Sequence, residues 1–106
     1  MQQITATELN QRLLGGEPLP LLLDVREPHE FAYCHITGSI NMPMNQVLAD
    51  PAKLDRERET VVICHHGMRS AQIANFLINQ GFAKVINLSG GVAAWASQVD
   101  RSMRTY

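Results

Sequence analysis

Within the ten positions Val61 to Ser70, the sequence VVICHHGMRS joins an apolar run to a cysteine, two histidines, a glycine and an arginine. A thiol at the carboxyl end of a buried strand, followed by a short loop into a helix, stands where open parallel sheets bind their ligands. Successive backbone N–H groups of such a loop converge on an anion, and the helix adds its positive end, so the loop itself favours a thiolate at Cys64. Gly67 suits this arrangement, because a residue without Cβ takes positive φ and keeps its N–H pointed inward. These residues point to a reactive thiol at Cys64, with His65, His66, Gly67, Met68 and Arg69 as the candidate active-site loop, in which the two histidines either touch substrate or are merely exposed. A cysteine that ends an apolar strand is more often inert packing, and it is the surrounding loop that argues for reactivity.

Three apolar runs, Leu19 to Val25, Val61 to Cys64 and Val85 to Leu88, read as strands. Their apolar residues are consecutive rather than alternating, the pattern of strands buried on both faces and hence of a mostly parallel sheet with helices on each side. Shorter strands are expected near Gln3 and Ile4 and over Ser39 to Met42. Thr5 to Glu8 has capping-box spacing before Leu9, Leu13 and Leu14, and Gly15-Gly16 gives a stop. Ser70 to Gln80 directs Ala71, Ile73, Ala74, Leu77 and Ile78 inward, with Gly81 at its end. Pro28 suits the first position of a brief helix, and another follows Gly90-Gly91 through Trp95. The class is α/β.

At 106 residues the chain is expected to form a single domain, with its core at about 3–98 and residues 101–106 left unassigned. An apolar share of 45% against 18% charged residues suits a packed globular fold, and a net charge of −1 gives no field to gather nucleic acid or an anionic membrane. No stretch approaches the roughly 20 apolar residues of a membrane span, and the opening MQQITATELNQRLL has no basic segment leading into an apolar one. A cytoplasmic location is the expectation. The two cysteines, Cys34 and Cys64, lie in no metal-ligand spacing, so no metal is expected.

The loop CHHGMRS resembles the C-x-x-G-x-R-S active-site loop of single-domain rhodaneses. Upstream, DVREPHEFAYCHITGSINMP is similar to that family's segment at Asp24, Val25, Arg26, Glu30, Phe31, His35, Ile36, Gly38, Asn41 and Pro43. Downstream, GFAKVINLSGGVAAW matches at Gly81, Phe82, Val85, Leu88, Gly90, Gly91 and Trp95. The resemblance implies a rhodanese-like α/β fold and a thiosulfate sulfurtransferase. Its Cys64 would take sulfur from a small anion such as thiosulfate, hold it as a persulfide, and pass it to cyanide or a thiol, a protein thiol included, with no cofactor. Asp24 and Arg26 are read as structural support of the site, and Arg69 as a brace tied to an acidic neighbour such as Glu30.

Four residues separate Cys64 from Arg69, whereas the related cysteine phosphatases and arsenate reductases resemble a pattern with five; such an enzyme is a weaker alternative. A non-catalytic or redox-sensing protein-binding module is another. Cys34 departs from the family pattern, which has Gly there. Were φ positive at that position, a side chain would cost on the order of 1 kcal/mol, and the turn would differ. A packing role for Cys34 stands ahead of a second reactive thiol.

Overall fold

The computed structural model describes residues 1–16 and 18–106. Five strands form one sheet: β1 (Gln2–Ile4), β2 (Leu21–Asp24), β3 (Ile40–Asn41), β4 (Thr60–Ile63) and β5 (Val85–Leu88), in the order β1-β5-β4-β2-β3. Every pairing is parallel. The helices are α1 (Ala6–Leu14), α2 (Pro28–Tyr33), α3 (Met44–Ala49), α4 (Met68–Asn79) and α5 (Gly91–Gln98), with a 3-10 turn at Pro51–Lys53.

Successive residues of the central strands β2, β4 and β5 feed opposite cores, as a pleated strand requires. Leu22, Val61, Ile63, Ile86 and Leu88 join Leu9 of α1 and Val92 and Trp95 of α5 on one face. On the other face Leu23, Val62 and Val85 join Val47 of α3 and Ile73, Ala74 and Leu77 of α4. Cys64 falls on this second face and is itself part of the core cluster.

Local chemistry sets the element ends. The Thr5 hydroxyl accepts from the Glu8 N–H at 3.1 Å, and the Glu8 carboxylate accepts from the Thr5 N–H at 2.9 Å, completing the capping box that starts α1. Helix α4 begins at Met68, two residues ahead of the sequence expectation, because Gly67 at φ 103° makes the turn into it. Ile78, expected to pack inward, is 40% exposed, and Leu14 is 78% exposed. Each lies in the last turn of its helix, past the reach of the sheet. Cys34 is extended, with φ −161° and ψ 148°, so the strain expected from a side chain at this position is absent. Helix α3 has no counterpart in the sequence reading, since Val47 is its only buried residue.

The topology creates the site. Strands β2 and β4 are neighbours, yet the chain leaves β2 for β3 on one side and β4 for β5 on the other. A crevice opens between the carboxyl ends of strands whose connections diverge in this way. Asp24 and Ile63 are paired at those ends, and Cys64 is the next residue.

Candidate active site

Cys64 is only 1% exposed, and it lies at the base of a cleft of about 360 Å³ lined also by His65, His66, Met68, Arg69 and Gln72. That volume is at the lower end for ligand pockets. The Gly67 N–H donates to the Cys64 Sγ at 3.0 Å, and the Ser70 Oγ lies 3.2 Å from the same sulfur.

The loop is held from below by α5. The Val92 N–H donates to the Cys64 carbonyl at 2.9 Å and the Ala93 N–H to the His65 carbonyl at 3.0 Å. These first-turn donors of α5 have no partner within their own helix, and here they satisfy the loop carbonyls. From the side, Asn87 of β5 donates through Nδ2 to the Gly67 carbonyl at 3.1 Å and to Gln3 at 2.9 Å, and its Oδ1 accepts from the Ser70 hydroxyl. A cysteine, a serine and an asparagine are thus linked beneath the surface.

Two ion pairs brace the flanks. Asp24 and Arg26 are both 0% exposed and meet at 2.7 Å; Arg26 also donates to the Cys34 carbonyl at 2.7 Å. Burial opposes the Arg26 charge, but hydrogen bonds to Asp24 and Tyr106 outweigh it and raise the guanidinium pKa above its ordinary value. Arg69 grips Glu30 with both terminal nitrogens, at 2.8 and 3.0 Å. That bidentate contact is the main reason the Glu30 carboxyl is held down at about 2. With both of those nitrogens turned to Glu30, Arg69 stands as a brace for the loop.

The His65 ring packs at 4.0 Å against His66 on one side and at 4.0 Å against Tyr106 on the other. Burial, then the neighbouring His66, lower its pKa and so disfavour a charged imidazole there. Met68 is 78% exposed at the rim.

Sequence reasoning thus placed Cys64 and its loop together with Asp24 and Arg26, and the structure brings all of them to one end of the sheet. It missed Asn87 and Tyr106. Asn87 carried a signal, being the one polar residue of the strand VINL, buried on both faces, where a polar side chain must find partners. Tyr106 carried none.

Among the described residues no three His, Cys, Asp or Glu side chains converge as a metal site, and no helix is long and apolar enough to cross a membrane.

The sequence profile of the rhodanese-like domain matches residues 5–98. The chain belongs to the rhodanese-like family. Its similarity to a sulfurtransferase of Allochromatium vinosum is 35% identity over 96 residues, covering 91% of this chain and 89% of that protein. A putative sulfurtransferase of Bacillus subtilis, YtwF, is 34% identical, with coverage of 92% and 93%. The thiosulfate sulfurtransferase GlpE of Stutzerimonas stutzeri is 37% identical over 75 residues, 71% of this chain and 69% of that protein. In three dimensions the chain is similar to a rhodanese-related protein of Thermoplasma volcanium, with a TM-score of 0.83 and 31% identity over 93% of this chain and 94% of that one. The three relatives named sulfurtransferases support a role in sulfur transfer.

Proposed function

We propose that this rhodanese-like domain is a thiosulfate sulfurtransferase that carries sulfane sulfur as a persulfide on Cys64. In the first half-reaction the Cys64 thiolate attacks the outer sulfur of thiosulfate. A new S–S bond forms, the old one breaks, and sulfite departs with the bonding electron pair. In the second, a thiolate or cyanide attacks the outer sulfur of the persulfide, and Cys64 leaves as a thiolate. Neither step needs a metal, an oxidant or an organic cofactor.

The observation that carries this reading is the Gly67 N–H aimed at Cys64 Sγ from within a loop only four residues long. Such a loop offers preorganised donors to negative charge on sulfur as it develops. The length of that loop, four residues between Cys64 and Arg69 where the phosphatase and arsenate reductase pattern has five, supports it against those enzymes. On this reading His65, His66, Met68 and Arg69 shape the mouth, Asp24 and Arg26 hold its floor, residues 1–106 act as one domain, and the partners are a small sulfur anion and a thiol. A cytoplasmic setting, where thiols stay reduced, suits the mechanism.

Intact-mass analysis after incubation with thiosulfate tests it. One added sulfur is expected on the wild type and on Cys34→Ser, removed by cyanide or a thiol, and none on Cys64→Ser. A wild type that gains no sulfur, or a Cys64→Ser variant that gains as much, would overturn the assignment.

A further inference from the structure

Residues 101–106 match no part of the motif, yet they lie against the site. Met103 packs on the apolar cluster shared by α1 and α5, the Tyr33 hydroxyl donates to the Thr105 carbonyl at 3.2 Å, and the Arg104 guanidinium sits 5.6 Å over the Tyr33 ring. This segment delivers Tyr106 between α2 and the loop. The Tyr106 ring stacks on His65 at 4.0 Å with 10° between planes, and it meets Tyr33 edge-on at 5.8 Å. Its hydroxyl lies 2.8 Å from Arg26 Nη1 and 2.8 Å from Glu30 Oε2.

Those two distances fix the direction of the bonds. A guanidinium only donates and an ionised carboxylate only accepts, so the phenol accepts from Arg26 and gives its one proton to Glu30. A single hydroxyl thereby joins the buried Asp24–Arg26 pair to the Glu30–Arg69 pair, and through them the end of β2 to the start of α4. Without it, Arg26 Nη1 keeps only the Glu30 carbonyl at 3.4 Å and the Cys34 sulfur at 3.9 Å. Tyr106 also lines two clefts, one of about 90 Å³ that includes Cys34, His65 and His66, and one of about 310 Å³ lined by His29, Glu30 and Tyr33. Losing the ring would leave His65 without its platform.

We propose that Tyr106 is a positioning residue of the sulfur-transfer site: its ring holds His65 in place, and its hydroxyl locks together the two ion pairs that flank the Cys64 loop. The inference rests on the proposed function for its catalytic readout, but the coupling between Tyr106 and His65 is a property of the loop and can be read without any sulfur donor.

The experiment compares Tyr106→Phe, Tyr106→Ala, His65→Ala and the double variant Tyr106→Ala/His65→Ala in the full chain. Readouts are kcat/KM with thiosulfate, the rate of Cys64 alkylation by iodoacetamide in a Cys34→Ser background, and the thermal midpoint. Tyr106→Phe keeps the stack and loses the link, so its kcat/KM should fall about threefold to tenfold. Tyr106→Ala should lose more, about tenfold to thirtyfold, and adding His65→Ala should cost little further, because the two act through one contact. A merely structural role would instead lower the midpoint and leave kcat/KM per folded molecule unchanged.

If the wild type takes no sulfur, the functional reading fails and alkylation still decides: the rate should change at least about threefold in Tyr106→Ala and no further in the double variant. Should Tyr106→Ala fail to fold, Tyr106→Phe, which keeps the ring, carries the test. Activity and alkylation within twofold of wild type in the folded variants, or losses that multiply in the double variant, would overturn the proposal.

Discussion

Gly91 lies directly against Cys64: a Cβ built on Gly91 would come within 2.3 Å of the Cys64 carbonyl oxygen and 2.4 Å of that of His65. Both contacts are to backbone, which has no flexible end to move aside. Gly91 also has φ 57°, which favours a residue without a side chain. The absence of a methyl group is what lets the first turn of α5 reach the loop carbonyls.

Gly91→Ala is therefore expected to destabilise the protein by roughly 2 to 4 kcal/mol, combining overpacking with left-handed strain. Urea unfolding measures this. The folded fraction should also show slowed sulfur loading of Cys64, since Val92 and Ala93 would no longer align with their acceptors. A variant of wild-type stability would show that α5 shifts freely away from the loop.

Asn87 offers a test on the other side of the site. Asn87→Leu leaves the Ser70 hydroxyl without its acceptor and the Gly67 carbonyl without its donor. The expected loss is roughly 1 to 3 kcal/mol of stability, with kcat/KM falling about tenfold. Adding Ser70→Ala should change kcat/KM little, because the serine would already have lost its orientation. Independent losses for the two residues would argue against a linked Cys64, Ser70 and Asn87 chain.

Acid should reveal the Arg69 brace. The Glu30 carboxyl is held at about 2 rather than its ordinary 4.5, chiefly by Arg69. For an acid whose folded pKa is depressed, the stabilisation is complete above the unfolded value and is lost as pH falls through the folded one. Wild type should exceed Glu30→Gln by on the order of 1 to 3 kcal/mol near neutrality, allowing for solvent screening, and the gap should close between about pH 4.5 and pH 2. Urea midpoints across that range check it. A gap that does not vary with pH would remove the ion pair from the account.

The readable parts of the fold were those where one local pattern sufficed. VINL became β5 residue for residue, and Thr5 with Glu8 formed the expected capping box. Loop chemistry was readable for the same reason, since the cysteine, the glycine and the arginine lie within six positions of one another. Helix α3 escaped notice because six residues with one buried side chain carry no periodicity. Positive φ at Gly67 was expected, but its use as the start of α4 was not, because the usual signal is a Ser, Thr, Asp or Asn side chain. Cys34 appeared strained only by comparison with a glycine, and its extended backbone removes the question. Tyr106 and His65 are 41 positions apart (106 − 65). A contact across that separation comes from the path of the chain over α2 and leaves no trace in spacing.

If Cys64 carries sulfur as proposed, the place of β4 in the middle of the sheet bears on how that sulfur would leave. A strand paired on both edges and covered on both faces is among the last parts of a protein to release its amide protons to solvent, opening only when the whole molecule opens. Cys64 follows that strand directly and cannot swing outward to meet an acceptor. Traffic is therefore one-way in space: the acceptor must come in. On that reading a thiol on a slender molecule or a mobile peptide end suits the cleft of about 360 Å³, lined by His66 and Met68 among others, better than one on a flat protein face. Shape alone thus divides acceptors into those that enter and those that only touch.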